Sequence, residues 1–194
     1  MKNCPKCKKP LRQVWNSTLF HPCGYCAKKE RQSILKGSSM KKGKHQDKLK
    51  KGKTPRQNAM DTADKWFSRY IRLKFSFEMN GERFCKCYTC GAIHHIKNID
   101  NGHYCGRENK LTRFDENNAR PQDTYCNRYR SGKHAQFGLN LAAEIGVEAV
   151  DNLRQLSLFT GEDTELFYRE QATKYRLKFN ALLKEMKVSN PWKT

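Results

Sequence analysis

Cys87-Tyr-Thr-Cys90, Gly102-His103-Tyr104, Asn118 and Cys126-Asn127-Arg128-Tyr129-Arg130 punctuate the stretch from Cys87 to Lys133, and their reading decides the fold. Two cysteine-bearing turns bracket a histidine and two asparagines. Zinc-held turns of this kind fix a short hairpin and helix without a large apolar core, and a histidine at the hairpin edge can activate water beside a second, catalytic metal. The segment is expected to be a zinc-clamped α+β core whose chemistry suits a phosphodiester backbone.

Working outward, the composition points to the same substrate. The chain holds 39 Lys and Arg against 19 Asp and Glu, a formal charge of +20, so a polyanionic partner, DNA, is expected. The basic residues are clustered, as phosphate contact requires, rather than spread as solubility alone would allow. With 194 residues, 37% of them hydrophobic, the chain can bury one modest core and a small satellite.

Nine cysteines would suggest disulfides in a secreted chain, but Cys4/Cys7, Cys23/Cys26 and Cys87/Cys90 are C-x2-C pairs with the spacing of zinc knuckles, and the total is odd. No apolar run approaches the roughly 20 residues that span a bilayer. Cysteines stand where a signal peptide would place its apolar region. A soluble, cytoplasmic protein with no membrane partner is expected.

Residues 1–27 read as a free-standing zinc ribbon: Cys4 and Cys7, then fifteen residues, then Cys23 and Cys26, with Val14, Trp15, Leu19 and Phe20 as a minute core. Such a module needs the roughly 10–16 kcal/mol of apparent free energy that zinc binding supplies. Residues 28–56 form a basic linker, with twelve Lys or Arg against Glu30 and Asp47, carrying half of the formal charge. Its glycines and serines break helical runs, so it reads either as an inert solvated tether or, preferably, as a polycation tracking DNA through residues such as Lys41, Lys42, Lys50 and Lys51.

Residues 57–194 are expected to form the main domain with flanking helices. From Pro55 to Phe77, Ala63, Trp66, Phe67, Tyr70, Ile71 and Phe75 recur at helical steps and read as core in preference to a DNA-stacking face. Residues 136–156 read as helical with a break at Gly146, carrying Leu139, Leu141, Ala142, Ile145, Val150 and Leu153. Thr164 caps a last predicted helix to about Lys187, with Leu166, Phe167, Tyr175, Leu182, Leu183 and Met186 inward. These helices read as scaffold, with a dimer interface as the alternative.

Phosphodiester hydrolysis with one metal needs a base for water and a divalent ion for the charge that develops on oxygen. His103 is the natural base, since an imidazole is largely neutral at cellular pH. His103, Asn118 and Asn127 fall in the order and spacing of the HNH, or ββα-metal, nucleases. More narrowly, Asp100-Asn-Gly-His103-Tyr104, Arg113-Phe-Asp-Glu-Asn-Asn118, Cys126-Asn127 and Arg130-Ser-Gly132 resemble the NinG (Rap) recombination proteins of lambdoid phages. The resemblance extends to the N-terminal cysteines, the basic linker and Ile145-Gly-Val-Glu-Ala-Val-Asp151.

The resemblance implies a phage- or prophage-encoded endonuclease, working in the bacterial cytoplasm, that cuts Holliday junctions and related branched intermediates with Mg²⁺ or Mn²⁺. His103 is then the general base, Asn127 a metal ligand, and Asn118 orients the loop and the histidine. Arg107, Arg113, Arg128 and Arg130 are expected to face phosphate, either as bidentate contacts or as plain surface charge. A two-fold symmetric junction favours a homodimer.

Two departures from the broader pattern stand out. Gly102 occupies the position where many HNH sites carry a metal-binding His or Asp, and Asp100, on the same strand face, is the substitute carboxylate. Where the family pattern has C-x2-C before the final Asn, this chain reads Asp123-Thr-Tyr-Cys126. Asp123 is the preferred fourth ligand of a second structural Zn²⁺ beside Cys87, Cys90 and Cys126, with Cys85 or Cys105 as alternatives. These departures sustain a second reading, a non-catalytic zinc-dependent DNA-binding protein. An HNH enzyme of restriction or homing type is a third, without an evident target-recognition domain.

Overall fold

The protein is described by a computed structural model over residues 52–193, together with Lys8 and two short N-terminal strands. The chain divides into units 1–51 and 52–194. In the first, β1 (Arg12–Gln13) pairs antiparallel with β2 (Phe20–His21), a hairpin inside the span read as a ribbon. The ribbon cysteines 4, 7, 23 and 26, and Lys41, Lys42, Lys50 and Lys51 of the linker, lie outside the described residues.

The second unit is small and mixed α+β. It runs α1 (Pro55–Lys74), β3 (Ser76–Met79), β4 (Glu82–Lys86), β5 (Ile93–His95), β6 (Asp100–His103), β7 (Ala119–Gln122), α2 (His134–Ile145), α3 (Val147–Ser157) and α4 (Glu165–Glu185). A 3₁₀ turn at Glu116–Asn118 precedes β7, and a π-helical turn, Tyr125–Tyr129, follows it.

Helix α1 starts where the Thr54 hydroxyl accepts the Gln57 N–H and Pro55, which has no N–H to satisfy, takes the first helical position. Its buried residues Ala59, Ala63, Phe67 and Ile71 follow at four-residue steps, so the apolar stripe is core, as expected. Trp66 and Tyr70 flank it, partly buried. The stripe packs on α4 through Tyr168, Ala172 and Tyr175, and both helices enclose Phe114 and Ala119 from the β6–β7 connection and β7. The Tyr175 hydroxyl donates to the Phe114 carbonyl at 2.5 Å, satisfying a phenol that is otherwise buried.

Two expectations about helices are corrected here. The helical run ends at Lys74, because the Phe75 N–H closes onto the Ile71 carbonyl and the chain turns into β3. Leu166 is 64% exposed, and Leu139 is exposed as well. The inward register of α4 is carried by Tyr168, Tyr175 and Phe179, while the cap at Thr164, accepting from Phe167 N–H at 3.1 Å, is as expected. Gly146, with φ at 89°, separates α2 from α3 at the predicted break.

Strands β3, β4 and β5 form an antiparallel sheet, with Cys85 opposite both Ser76 and His94. The β3–β4 turn is Asn80-Gly81, both at positive φ, the pair that a tight right-twisted hairpin demands. Strands β6 and β7 form a separate antiparallel pair in which Asp100 faces Gln122 and His103 faces Ala119. Helices α2 and α3 cover the following Tyr104 and Cys105 with Phe137, Leu141, Val150 and Leu153. Among the described residues no helix is long and apolar enough to cross a membrane.

Phe67 joins helix packing to the strand pair. Its ring meets Tyr175 edge-on at 4.7 Å, Phe114 at 5.7 Å and the His103 imidazole at 5.8 Å between centroids. Phe67→Ala is expected to lower unfolding free energy by about 3–5 kcal/mol, read from the midpoint of a urea titration; a loss below about 1 kcal/mol contradicts this packing role.

Candidate metal centre and polar pocket

The C-x2-C turn after β4 and the π-helical turn after β7 bring three sulfurs together. The Sγ atoms of Cys87, Cys90 and Cys126 all lie within 4.8 Å of one another. A tetrahedral zinc with bonds near 2.3 Å sets its sulfurs about 3.8 Å apart, so the three cysteines could hold such an ion. The knuckle closes as the Gly91 N–H reaches the Cys87 carbonyl, and Gly91 takes a φ of 78° that a side chain resists.

Burial opposes ionisation of Cys87, but N–H groups of Asp123, Thr89 and Cys90 and the Thr89 hydroxyl converge on its sulfur and bring the thiol down to about 7. At Cys90 the Ala92 N–H favours the thiolate. Partial burial and hydrogen bonds to Cys87 and Cys126 outweigh it and push the thiol up to about 11. One thiolate is thus preorganised while a neighbouring sulfur keeps its proton until a cation displaces it.

The expected fourth ligand is not among this group. The Asp123 amide, not its carboxylate, serves Cys87, and the carboxylate oxygen instead lies 3.4 Å from His94 Nε2. Cys85 is turned to the Arg72 carbonyl at 3.1 Å and Cys105 to the Leu153 carbonyl at 3.6 Å. Backbone pairing of β4 and packing of α3 respectively draw these thiols away from the centre.

His103 ends β6 at the wall of a cavity of about 500 Å³, with Asp64, Asp100, Asn127, Arg107 and Arg128 also in the lining. Desolvation drives its imidazole down to about 4, and the Arg113 carbonyl, acting the other way, does not compensate. The ring is therefore neutral at pH 7. Its Nε2 stands 3.1 Å from that carbonyl, which can only accept, so Nε2 carries the proton and Nδ1 keeps a lone pair.

The carbonyl that orients the imidazole is itself held. Arg113 forms a two-pronged ion pair with Asp64 of α1, at 2.9 and 2.6 Å, and donates to the Arg107 carbonyl at 2.5 Å. Asn118, fully buried, donates to the carbonyls of Cys105 and Thr112 at 2.9 and 2.8 Å and accepts the Cys105 N–H at 2.6 Å. These three bonds close the 105–112 loop. Asn118 thus ties the loop together, and it is not among the residues lining the His103 pocket.

Asp100, on β6, accepts two bonds from Arg128 at 2.8 and 2.9 Å and one from the Asn127 amide at 3.1 Å. Burial alone would raise its pKa, but Arg128, Asn127 and the more distant Arg72 hold it below the usual carboxylate range. The donors suit a hard divalent cation. Asp100 could offer a carboxylate and Asn127 a carboxamide oxygen; Asn101 also lines the cavity, and its Oδ1 is buried with no hydrogen-bond partner. In this structure the Asp100 carboxylate is paired with the Arg128 guanidinium.

Gly102 is explained by its neighbour. A Cβ there would overlap the Gln122 carboxamide, whose amino group is spent on Thr89 Oγ1 and the Gly132 carbonyl at 3.1 and 2.6 Å. The space that a metal-binding side chain would need at 102 is filled from β7.

Of the arginines expected to face phosphate, Arg107 and Arg128 flank the pocket with exposed side chains, at 60% and 63%. Arg130 lies over the Tyr125 ring, 5.6 Å from its centroid. Arg113 is corrected to a structural role: it is 6% exposed and committed to Asp64. Asp64 was not singled out in the sequence; its signal was an acid at the edge of an apolar stripe, three residues before Phe67.

Residues 1–188 match the family described as "Bacteriophage Lambda NinG protein". The chain is similar to Protein ninG of Escherichia phage 933W, 25% identical over 135 residues, covering 69% of this chain and 64% of that protein. It is also 28% identical over 99 residues to the ninG proteins of Salmonella phage P22 and Escherichia phage lambda, covering 50% of this chain and 48% of each. The chain thus spans less than two thirds of the length of these relatives. No solved structure matches it.

Cys126→Ala is expected to remove a zinc equivalent from the purified protein, measured by elemental analysis, and to lower its melting temperature; unchanged zinc content rules out the three-sulfur centre. For His103, NMR titration of labelled imidazoles in the free protein should find the neutral form persisting to about pH 4. Between the ordinary value of 6.5 and about 4 the unfolded chain binds a proton that the folded chain does not, so acidification across that window destabilises the fold. A midpoint for His103 near 6.5 contradicts the desolvated site.

Proposed function

From its membership of the NinG family, to which this chain belongs, we propose that it is a metal-dependent endonuclease of HNH type that cuts branched DNA such as Holliday junctions during phage recombination. The observation carrying this reading is His103: a neutral imidazole, its Nε2 tied to the Arg113 carbonyl, with Nδ1 free as acceptor in a pocket that also holds Asp100 and Asn127. That is the state a general base must be in before it takes a proton from water.

A divalent cation such as Mg²⁺ or Mn²⁺, when bound, would supply stabilisation of charge on the phosphate oxygens. Asp100 and Asn127 would hold it, with Asn101 Oδ1 as a further oxygen. Arg128, exposed and paired with Asp100, would be the group to exchange that carboxylate for phosphate, which a planar guanidinium binds in bidentate fashion. Arg107 approaches from the other side of the pocket. His103 Nδ1 would accept the proton of the attacking water as its oxygen bonds to phosphorus and the P–O bond to the departing strand breaks, the departing oxygen taking up a proton from solvent; the Arg113 carbonyl, accepting from Nε2–H, would stabilise the imidazolium. The clustered linker charge contributes sequence-independent affinity.

The setting that accompanies this reading is the cytoplasm of a bacterial host, with a homodimer matched to a two-fold symmetric junction. A second reading, a zinc-dependent DNA-binding protein without cleavage, draws on one observation: Asp100 is already paired with Arg128.

His103→Ala and the parent protein are to be incubated with synthetic four-way junctions and linear duplex, with Mg²⁺ or Mn²⁺. Metal-dependent junction cutting that falls by about 10²–10⁴-fold in the variant, with DNA affinity kept within about twofold, supports the enzyme. Equal binding by both proteins with no cutting by either selects the second reading.

A further inference from the structure

We propose that Tyr125 and Tyr129 form a stacking surface for an unstacked nucleobase at a DNA branch point, an inference that rests on the DNA reading above and names the structural feature of the substrate it selects. The two tyrosines are 56% and 75% exposed. Four residues apart on the π-helical turn, they lie on one side of it, near-parallel at 26° with centroids 6.2 Å apart. Two exposed aromatic rings are thereby offered together rather than singly.

The turn that carries them is tied down at its centre. Cys126, between the tyrosines, is buried in the three-sulfur centre, and the Asn127 N–H is bonded to the Asp123 carbonyl at 2.8 Å. A tyrosine also has only two side-chain torsions to order, so a base can stack at small entropic cost. Interruptions of helical geometry of this π type recur at functional sites.

The surrounding charge decides between occupants. Arg128 and Arg130 share the same stretch, Arg128 exposed and Arg130 with its guanidinium carbon 5.6 Å from the Tyr125 ring centroid, and Lys133 follows. An apolar protein partner would have to desolvate these cations, whereas a nucleotide brings a phosphate to meet them and a π-face for the rings. Asn127, between the two tyrosines in the chain, lines the His103 pocket, so a base on the rings leaves its neighbouring phosphate within reach of the site. In an unbroken duplex the base faces are stacked on one another and closed to such contact. A junction, flap or gap exposes them, so this surface favours branched over linear DNA.

The test uses the full chain, without added divalent metal, on a four-way junction and a linear duplex of the same sequence, with 2-aminopurine at the branch position. Anisotropy reads affinity, and 2-aminopurine fluorescence reads stacking. Tyr125→Ala/Tyr129→Ala is expected to lose about 5- to 30-fold in junction affinity together with the fluorescence change, while duplex affinity stays within about twofold. The double Tyr→Phe variant keeps both signals, because the ring face and not the hydroxyl makes the contact. Melting temperature and zinc content of each variant establish that the fold is intact. Wild-type junction affinity and fluorescence in the double alanine variant overturn the inference. So does an equal loss on both DNAs, or a change in sedimentation alone, which would mark a contact between copies of the chain. Failure of the parent protein to bind either DNA overturns the DNA reading itself, and this inference with it.

Discussion

The approach of Cys87, Cys90 and Cys126 is the constraint from which the polar pocket is built, because it brings together the turn after β4 and the turn that carries Asn127 and Arg128. The first turn follows β4 and the second follows β7, so an ion held by the three sulfurs would tie one small sheet to the other. Asn127 and Arg128 follow Cys126 directly in sequence, and their reach to Asp100 depends on where that cysteine is anchored. Three thiols crowded together are not a comfortable arrangement for the free protein. The N–H groups aimed at Cys87 ease it by favouring one thiolate, which is also what a soft-ligand metal requires.

Around the pocket, the acidic groups facing His103 and β6 are each held by arginine: Asp64 by Arg113 and, more loosely, Arg107; Asp100 by Arg128. The two pairs differ in kind. Arg113 is buried and its pairing with Asp64 is architectural, holding the carbonyl that orients His103. Arg128 is largely in water, so its bond to Asp100 contributes little net stability and can be exchanged at small cost. A strongly cationic protein thus keeps one carboxylate as a permanent brace and another as a group that can change partners.

Much of this was legible in sequence where local chemistry repeats in a pattern. The stripe Ala63, Phe67, Ile71, the break at Gly146 and the cap at Thr164 follow from helix periodicity and the conformational demands of single residues. The C-x2-C spacing identified two of the three sulfurs, and Cys126 followed from its place before Asn127. What failed were choices that depend on tertiary neighbours. Asp123 stood at a cysteine's spacing, yet its backbone rather than its side chain meets the centre. Arg113 looked like a phosphate contact because nothing local revealed that Asp64, 49 positions earlier, would claim it. The β3–β4 hairpin had a readable sign in Asn80-Gly81, but the register of so short a strand pair rests on packing against Leu73, Ile96 and Phe179.

Gly102 and Gln122 have a consequence for how this chain can change. The amide of one residue occupies the volume that any side chain at the other would claim, so the two behave as a single unit of variation. Replacing the glycine by a ligating histidine or aspartate without trimming the glutamine produces a steric misfit and severs the ties to Thr89 and Gly132. Trimming the glutamine first leaves a void and loose polar ends. Descent from a chain with a ligand at this position, or return to it, therefore passes through a valley unless both substitutions arrive together.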